Sequence, residues 1–350
     1  MITTGPEIFL RNAASQPIID VRSPLEYNQG HIPGAINIPI FSDDERKIVG
    51  TLYKNSGREA AVLSALDLVG PKLTTLVKEV KKVAVDKRVL VHCWRGGLRS
   101  KNMAWLFETS GLHSILLEGG YKAYRRYIRE HLAEFNNVVV LGGKTGSGKS
   151  DILQELKKRG QQVVDLEQIA HHKGSAFGHI GQEEQPTNEQ FENNLYHDLA
   201  QKNKDKPIWV EDESRGIGKI GIPEPFFHII RTSPVVFLEV SLEIRVKRLV
   251  REYGRLEPDK LISAIHRIAK KLGGLQVSRA ISSIHENQLD LATEILLSYY
   301  DKAYLKGLFI RQPETIHKVE CNTEDPSEMA DILLRYANNG TLTSKHSISN

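Results

Sequence analysis

Two short loops, each set between an apolar strand pattern and a helical pattern, constrain the fold of this chain more than any other feature. The first reads Cys93-Trp-Arg-Gly-Gly-Leu-Arg-Ser100 and follows the strand pattern at 88–92. The second reads Gly143-Lys-Thr-Gly-Ser-Gly-Lys-Ser150 and follows the apolar run at 137–141. Strand, loop and helix in this order build the ligand site of open α/β sheets. The chain is therefore predicted to form two α/β units, one around each loop.

The length of 350 residues also favours two domains, since one domain commonly takes about 150 residues. We predict a first domain over 5–133 and a second domain over 134–335. The last residues, 338–350, are polar, and we expect them to be disordered.

The composition of the chain indicates in which cellular compartment the protein is expected. Hydrophobic residues make up 40% and charged residues 26% of the sequence, and no run of about 18 apolar residues predicts a membrane span. The N-terminus lacks the basic and apolar segments of a secretory signal. The two cysteines, Cys93 and Cys321, lie far apart, so we expect no disulfide framework and two thiols in a reducing compartment. We predict a cytoplasmic protein without a membrane partner.

The first loop is suited to a reactive thiolate at Cys93. Its two glycines allow successive backbone N–H groups to curl around the sulfur, and the following helix adds the positive end of its dipole. An anionic chalcogen donor could bind in the same loop. A buried, inert thiol is the alternative, and the glycines and arginines after Cys93 argue against it. The predicted site residues around Cys93 are Trp94, Arg95, Gly96, Gly97, Arg99 and Ser100.

The first half of the chain resembles a rhodanese domain. The resemblance is carried by Asp20-Val-Arg-Ser-Pro24, by Gly30-His-Ile-Pro-Gly-Ala35 and by the Cys93 loop. It implies a parallel sheet with helices on both faces. Within rhodanese domains, the continuation Cys-Trp-Arg-Gly-Gly is unusual.

The second loop has the form of a Walker A phosphate-binding loop. In such loops the backbone N–H groups surround a phosphate, the lysine reaches the terminal phosphates and the last hydroxyl can bind Mg²⁺. A strand precedes the motif and a helix follows it, as the motif requires. The predicted diphosphate-binding residues are Gly143, Thr145, Gly146, Ser147, Gly148, Lys149 and Ser150.

Carboxylates and a glycine-containing segment complete the predicted second site. The strand pattern at 207–210 ends in acidic residues, and no later Asn-Lys-x-Asp motif selects guanine, so a GTPase is disfavoured. The segment at 171–178 is either a substrate loop or a polar surface connection. Candidates for Mg²⁺ or for supporting contacts are Asp165, Glu211, Asp212 and Glu213, and candidates in the substrate loop are His172, Lys173, Ser175 and Phe177.

Basic residues cluster in two parts of the chain. The segment 244–280 contains ten lysines and arginines against three acids, and the segment 121–129 alternates tyrosines with basic residues. Such segments can bind a polyanion, or they can be solvated faces of helices. Three arginines at a spacing of three could also converge on phosphates. The candidate polyanion contacts are Arg125, Arg126, Arg245, Arg248, Arg251, Lys270 and Lys271.

Taken together, the two halves resemble the bacterial tRNA 2-selenouridine synthases over about residues 5 to 335. The second half contributes Asp165-Leu-Glu167, the segment 172–178, Glu211-Asp-Glu-Ser214 and Leu272-Gly-Gly274. The resemblance implies an α/β protein with an N-terminal rhodanese-like domain. A P-loop NTPase-like α/β domain with a helical C-terminal region would follow it.

The resemblance also implies a transferase that acts on tRNA. Its substrate would be 2-thiouridine at the wobble position, its product 2-selenouridine, and its co-substrates selenophosphate and geranyl diphosphate, with an S-geranyl intermediate. Cys93 would either receive selenium or assist expulsion of the geranyl thiol, and the P-loop would bind the diphosphate. No tightly bound cofactor is expected, although Mg²⁺ could accompany the diphosphate. An enzyme that supplies selenophosphate could be a partner, and DNA is not expected to bind.

Two other functions fit parts of the sequence. A persulfide sulfurtransferase coupled to an NTP-using domain would turn over thiosulfate and hydrolyse a nucleotide. A regulatory nucleotide-binding protein would carry a degenerate rhodanese module, and the intact Arg-Gly-Gly sequence after the cysteine argues against that class.

Overall fold

The computed structural model describes residues 1–337, and the tail predicted over 338–350 lies outside them. The chain forms two compact units. The first comprises Met1–His131 together with Glu192–His197, and the second comprises Leu132–Phe191 and the residues from Asp198 onwards.

The first unit is an α/β domain built on five short strands. Its elements are β1 (Ile2–Thr4), α1 (Pro6–Asn12), β2 (Ile18–Asp20), α2 (Pro24–Gln29), β3 (Ile36–Asn37), α3 (Asp43–Asn55), α4 (Gly57–Val69), α5 (Leu73–Val83), β4 (Arg88–His92), α6 (Leu98–Thr109), β5 (His113–Leu117) and α7 (Gly120–His131).

The sheet of the first unit places the end of β4 at its centre. The strand order is β1-β5-β4-β2-β3, and the neighbouring strands run parallel. In register, Leu90 of β4 is paired with Ile18 of β2 and with Ile115 of β5. Because the carboxyl ends of parallel strands share one edge of the sheet, the residue after β4 lies where α/β proteins bind ligands. That residue is Cys93.

Apolar residues from the sheet and from two helices form the core of the first unit. Val89 and Val91 of β4 pack with Val80 of α5 and with Met103 and Phe107 of α6, and all five are buried. Strands buried in this way are continuous apolar runs, as expected for a parallel sheet covered by helices. The predicted α/β class is confirmed in this unit.

One stretch among the described residues, Gly57–Val83, is long and apolar enough to cross a membrane by length and composition. The sequence, in which no run of about 18 residues is apolar throughout, predicts no such span. The stretch consists of α4 and α5, and a short 3₁₀ turn at Gly70–Lys72 separates them. Leu76 and Val80 of α5 lie in the core described above. Only 17% of the apolar window is buried, and Leu63 and Leu66 of α4 are exposed.

The second unit contains a five-stranded sheet, a small hairpin and a helical region. Its elements are β6 (Val138–Gly143), α8 (Lys149–Lys158), β7 (Gln162–Val164), α9 (Leu166–Ala170), α10 (Asn188–Leu199, of which Glu192–His197 belong to the first unit), β8 (Ile208–Glu211), β9 (Gly216–Ile217), β10 (Ile220–Gly221), α11 (Glu224–Thr232), β11 (Val235–Glu239), α12 (Leu242–Tyr253), α13 (Pro258–Leu272), α14 (Gly274–His285), α15 (Leu289–Leu308), β12 (Ile316–Glu320) and α16 (Pro326–Tyr336).

The larger sheet of the second unit positions the phosphate loop. Its parallel strands have the order β12-β11-β6-β8-β7, so β6 lies in the middle. The loop after β6 leads into α8, and β8 beside it ends at Glu211. The predicted strand, loop and helix are therefore confirmed, and the acidic end of β8 lies at the same edge of the sheet as the loop.

The helices α13 to α15 have an apolar cluster of their own. Leu261 and Ile265 of α13 pack with Val277 of α14 and Ile295 of α15. Phe177, from the segment predicted as a substrate loop, is buried in the same cluster. These helices form the predicted helical C-terminal region.

Candidate functional site

Cys93 lies directly after β4 and is almost completely buried. Its Sγ lies 3.2 Å from the hydroxyl oxygen of Ser100, which is in the first turn of α6. The Ser100 hydroxyl lies 3.3 Å from the carbonyl oxygen of Gly97. The sulfur is therefore held between the end of a strand and the start of a helix, the place where α/β proteins bind ligands.

The Cys93 loop is shaped by contact with the start of α7. Gly96 and Gly120 both have left-handed backbone conformations, with φ of +66° and +62°. A side chain at Gly120 would overlap the carbonyl oxygen of Cys93 and the backbone nitrogen of Gly96. The amide of Tyr121 donates to the Cys93 carbonyl at 2.9 Å. Glycine is therefore required at 120 both by conformation and by space.

Replacing Gly120 by alanine is expected to destabilise the protein and to displace the Cys93 loop. A positive φ costs an alanine about 1–2 kcal/mol, and overlap with the loop backbone should add about 1–3 kcal/mol. Gly34 is the matched control, because its φ is +80° and nothing lies within 4 Å of a side chain there. Urea unfolding measures both variants. Equal losses of stability for Gly120→Ala and Gly34→Ala would contradict the proposed contact.

Two arginines in the loop region have different surroundings. Arg99 forms an ion pair with Glu26, with nitrogen–oxygen distances of 2.5 and 3.2 Å. Burial would raise the pKa of Glu26, but Arg99 and the amide of Ser23 lower it overall. Arg95 is exposed at the surface of the loop. Of the two, Arg95 is the one available to an anionic donor.

A buried ion pair between Arg22 and Asp20 lies beside the Cys93 loop. Arg22 binds Asp20 at 2.6 Å, and both side chains are fully buried. Although burial would raise the pKa of Asp20, His92 and Arg22 hold it below its usual value. The Arg22 guanidinium carbon lies 3.9 Å from the ring centre of Tyr121 and 5.9 Å from that of Trp94. The Asp20-x-Arg22 motif thus positions Trp94, the residue after Cys93.

Side chains of the phosphate loop in the second unit form hydrogen bonds with the loop's own backbone. The Lys149 ammonium donates to the Gly143 carbonyl at 3.0 Å, across the mouth of the loop. The Ser147 hydroxyl donates to the Lys144 carbonyl at 2.7 Å. Gly148 has a φ of +82° and directly precedes α8. The helix start and the lysine therefore both favour an anion at this loop.

A pair of glutamates lies beside the P-loop. The Ser150 hydroxyl donates to Oε2 of Glu167 at 2.8 Å, and the carboxyl groups of Glu167 and Glu213 share a hydrogen bond. Burial, followed by the charge of Glu167, raises the pKa of Glu213 to about 8. Gly174 allows this arrangement, because a side chain there would lie 2.7 Å from Glu213 and 2.9 Å from Glu167.

The other predicted acidic candidates have different surroundings. Asp165 accepts from the Gln168 amide at 2.8 Å and caps α9. Asp212 is bound by Arg311 at 2.6 Å and by the Tyr304 hydroxyl at 2.8 Å. These contacts fit the supporting role, one of the two roles predicted for these residues, rather than direct binding of Mg²⁺.

Glu211 fits a role in binding Mg²⁺ better than Asp165 and Asp212 do. One of its carboxylate oxygens accepts from the Glu167 amide at 2.7 Å. The other is buried and has no hydrogen-bond partner within residues 1–337. Burial, with the charges of Asp165 and Glu167, raises the pKa of Glu211 well above its usual value.

The residues at this edge of the sheet fit a Mg²⁺ ion bound together with a diphosphate. Among residues 1–337, no group of three or more His, Cys, Asp or Glu side chains is arranged as a metal site. Mg²⁺ commonly uses only one or two carboxylates, with waters and phosphate oxygens as its other ligands. Glu167 and Glu213, beside the Ser150 hydroxyl, supply that set, and the unpaired oxygen of Glu211 adds a buried acceptor. These residues would bind the ion.

The first arginine of α12 fixes this helix to the P-loop. Arg245 is buried and makes two bonds of 2.8 Å to Asp301. It also donates to the Thr145 carbonyl at 3.1 Å. Its burial argues against the predicted role as a tRNA contact and gives it a structural role instead.

Replacing Arg245 by alanine is expected to destabilise the second unit by about 3 kcal/mol, because Asp301 would be left without its partner. Arg251 is the matched control on the same helix. It is exposed and pairs with Glu324 at 2.7 Å, so its replacement should cost at most about 1 kcal/mol. Chemical denaturation compares the two variants. A small loss for Arg245→Ala would show that the helix is fixed by other contacts.

The remaining basic candidates divide into buried and exposed side chains. Arg125 is buried in the first unit, where it binds Glu192 and, at 2.5 Å, Asn193. These bonds argue against a tRNA contact by Arg125. Arg126 is exposed, as are Lys270 and Lys271 on α13. These exposed positions remain predictions for contact with a polyanion.

The predicted substrate loop is anchored at several points. His172 is 8% exposed, and its Nδ1 has no hydrogen-bond partner in the described chain. Burial, His179 and Arg267 lower the pKa of His172. Lys173 forms an ion pair with Glu252. The Ser175 hydroxyl accepts from the Phe177 amide at 3.2 Å, so the segment is held in place rather than free on the surface.

Three side chains near the P-loop were missed as candidates. Glu167 was noted only as part of a motif, although it lies between Ser150 and Glu213. The Tyr304 hydroxyl accepts from the Gly143 amide at 2.9 Å, and Arg311 binds Asp212. Tyr304 lies on the distant helix α15 and Arg311 lies in the turn after it, both without a motif, whereas the Asp-Leu-Glu sequence could have identified Glu167.

Comparison with protein families tests the two halves of the chain. The model described as the tRNA 2-selenouridine synthase AAA domain matches residues 136–333, more than half of the chain. The chain belongs to this family. The rhodanese-like domain model matches residues 6–127. Both resemblances predicted from the sequence are therefore confirmed.

Several relatives named tRNA 2-selenouridine synthase are similar in sequence to most of this chain. The protein of Bdellovibrio bacteriovorus is 43% identical over 261 residues, which cover 70% of this chain and 66% of that protein. The protein of Nitrosomonas europaea is 38% identical over 249 residues, covering 69% and 64%. The protein of Shewanella denitrificans is 38% identical over 266 residues, covering 73% and 69%. The chain thus spans slightly less than two thirds of the length of the first two relatives.

Proposed function

We propose that this chain converts 2-thiouridine in tRNA into 2-selenouridine by two successive transfers. The first alkylates the sulfur with a geranyl group, and the second replaces the alkylated sulfur by selenium. The observation that carries the proposal is the presence in one chain of a buried Cys93 in a glycine loop and a P-loop with Lys149 and paired carboxyls. The relatives' names support tRNA as the substrate and selenouridine as the product.

In the proposed first step, the P-loop binds geranyl diphosphate. The thiouridine sulfur attacks the allylic carbon, the carbon–oxygen bond breaks and diphosphate leaves, while N3 of the base loses its proton. Lys149 and the amides of the loop would stabilise the charge that develops on the diphosphate. Bound Mg²⁺ would supply further charge to the leaving group. No nucleotide hydrolysis is required.

Alkylation prepares the base for the proposed second step. A thiocarbonyl sulfur is a poor leaving group, whereas an alkylated sulfur can depart as a thiol. Selenium from selenophosphate would bond to C2 as the carbon–sulfur bond breaks and geranyl thiol leaves. Water then cleaves the selenium–phosphorus bond and releases phosphate.

The Cys93 loop supports a role in this second step. Its buried thiol faces Ser100 at the start of α6, and the exposed Arg95 adds positive charge for an anionic donor. Two roles for Cys93 are compatible with this geometry. Assistance to the departing thiol needs no further reactant. Transfer of selenium through the sulfur would need a disulfide-type oxidant to form a perselenide from selenide-level selenium, and a thiol to release the selenium afterwards. An enzyme that delivers selenophosphate would be a suitable partner.

The decisive experiment incubates the purified chain with tRNA that contains 2-thiouridine. Geranyl diphosphate, selenophosphate or both are added, and mass spectrometry identifies the nucleosides. We expect S-geranyl-2-thiouridine with geranyl diphosphate alone and 2-selenouridine with both. Unchanged thiouridine throughout, together with consumption of thiosulfate and ATP in a parallel incubation that contains them, would replace this proposal by the persulfide sulfurtransferase.

A further inference from the structure

The three arginines of α12 differ in how their charge is paired. Arg245 is buried against Asp301, and the exposed Arg251 binds the carboxylate of Glu324. Arg248 lies between them in the sequence, and its Nη2 donates to the Glu324 carbonyl at 2.8 Å. Unlike the other two arginines, Arg248 has no carboxylate partner among the described residues. Its positive charge is therefore available to another anion.

The free end of Arg248 lies against the P-loop. A side chain at Gly148 would overlap Nη1 of Arg248, which shows that the guanidinium group fills the space beside the glycine. This nitrogen is buried and has no hydrogen-bond partner within residues 1–337. A buried charged donor without an acceptor is costly. An acceptor that binds at the P-loop would satisfy it.

The position of Arg248 relative to the loop is fixed by its neighbours on α12. A side chain at Gly146 would lie 3.0 Å from Leu249, so this leucine packs directly on the loop. Arg245 donates to the Thr145 carbonyl at 3.1 Å. The helix therefore contacts the loop on both sides of Arg248 in the sequence. Such support reduces the entropy that the guanidinium would lose when it binds a ligand.

We propose that Arg248 is a second cation of the P-loop site and donates Nη1 to a phosphate oxygen of the bound diphosphate. Lys149 contributes the first cation from within the loop. Arginine suits this role because its planar group keeps one nitrogen on a backbone carbonyl while another binds the ligand. In the proposed function, which supplies the identity of the ligand, Arg248 would also stabilise the departing diphosphate. This assignment replaces the predicted tRNA contact at Arg248.

Calorimetric titration with inorganic diphosphate and Mg²⁺ tests this proposal on the full chain. We expect Arg248→Ala to weaken diphosphate binding by about ten- to a hundredfold, and Arg248→Lys to have an intermediate effect. Arg251→Ala is the matched control from the same helix and should bind within about twofold of the unchanged protein. Equal affinities for Arg248→Ala and the unchanged protein would overturn the proposal, as would the absence of diphosphate binding by the unchanged protein.

A thermal measurement separates a loss of binding from a loss of folding, since Arg248 also contacts the Glu324 carbonyl. Each variant is melted with and without diphosphate, and the ligand-induced shift is compared with that variant's own baseline. The shift should be much smaller in Arg248→Ala than in Arg251→Ala. An undiminished shift in Arg248→Ala would overturn the proposal.

Geranyl transfer to thiouridine tRNA is measured separately with the unchanged protein. If Arg248 controls diphosphate affinity but no geranyl transfer occurs, the role of Arg248 stands and the proposed function fails. If geranyl transfer occurs but diphosphate binds equally well without Arg248, the proposed function stands and the role of Arg248 is overturned.

Discussion

Replacing Cys93 by alanine is expected to stop selenium transfer and to leave geranyl transfer intact. In the proposed function the Cys93 thiol takes part in selenium transfer, and removal of a group that acts directly in a reaction commonly reduces its rate by more than about a thousandfold. S-Geranyl-2-thiouridine should therefore accumulate when both co-substrates are present. Nucleoside mass spectrometry measures the two products, and the initial rate of geranylation shows whether the first step is preserved.

Cys321→Ala is the matched control for this experiment. Cys321 is also buried, but it packs in the apolar core of the second unit, and burial raises the pKa of its thiol. We expect normal selenation from this variant, apart from a modest loss of stability. Selenation by Cys93→Ala at the rate of the unchanged protein would exclude both proposed roles of the thiol.

The unchanged protein can also distinguish the two roles of Cys93. If the sulfur carries selenium, incubation with selenophosphate and a disulfide oxidant before tRNA is added should give a protein heavier by one selenium atom, and Cys93→Ala should not form it. If Cys93 only assists departure of the thiol, the mass should stay constant although the complete reaction proceeds. Intact-protein mass spectrometry under non-reducing conditions makes this comparison.

Replacing Lys149 by alanine is expected to reduce geranyl transfer by about a hundred- to a thousandfold, the loss typical of removing one preorganised donor to a developing charge. Its ammonium lies across the mouth of the loop, on the Gly143 carbonyl. The loss should therefore appear before any selenation. Supplying tRNA that already carries S-geranyl-2-thiouridine should restore formation of selenouridine, because in the proposed function the P-loop acts only in the first step.

Lys144→Ala is the control within the same loop. The Lys144 ammonium lies 4.0 Å from Asp301 and is partly exposed, so its removal should change the rate much less. Equal losses for the two lysine variants would indicate a general effect of charge rather than a specific contact by Lys149. Failure of the Lys149→Ala variant on the geranylated tRNA would show that the two steps depend on one site.

The elements around both loops could be predicted because their signals are local. The strand Arg88–His92 has the predicted bounds, and the P-loop strand Val138–Gly143 differs from the predicted apolar run at 137–141 by at most two residues. Apolar runs, glycines and helix signals lie within a few positions of one another in these segments. The helix after Cys93 begins at Leu98, inside the sequence predicted as the loop Cys93–Ser100, because Gly97 already forms its N-cap.

Partners from distant parts of the chain could not be predicted in the same way. Asp301 and Tyr304 lie on α15, more than 150 residues after the P-loop that they contact. Their sequence surroundings are those of an ordinary helix, so nothing local distinguishes them. Pairing between such residues depends on how the helices pack on the sheet, which the periodicity of one helix does not determine.

The different roles of the three α12 arginines could not be predicted from the sequence either. The pattern of three equally spaced arginines, Arg245, Arg248 and Arg251, predicts one shared role for them. Packing against the P-loop buries the first, partly buries the second and leaves the third exposed. Their separate roles follow from this gradient of burial along the helix, and a charge count cannot reveal it.

The contact between Gly96 and Gly120 has a consequence for protein engineering. The two glycines belong to different segments, and neither accepts a side chain without displacing the backbone of the other. The geometry of the Cys93 loop therefore depends on both segments. Transplanting residues 93–100 alone into another rhodanese scaffold would transfer the thiol but not its geometry, whereas a graft that also carries the turn at 119–120 would transfer both.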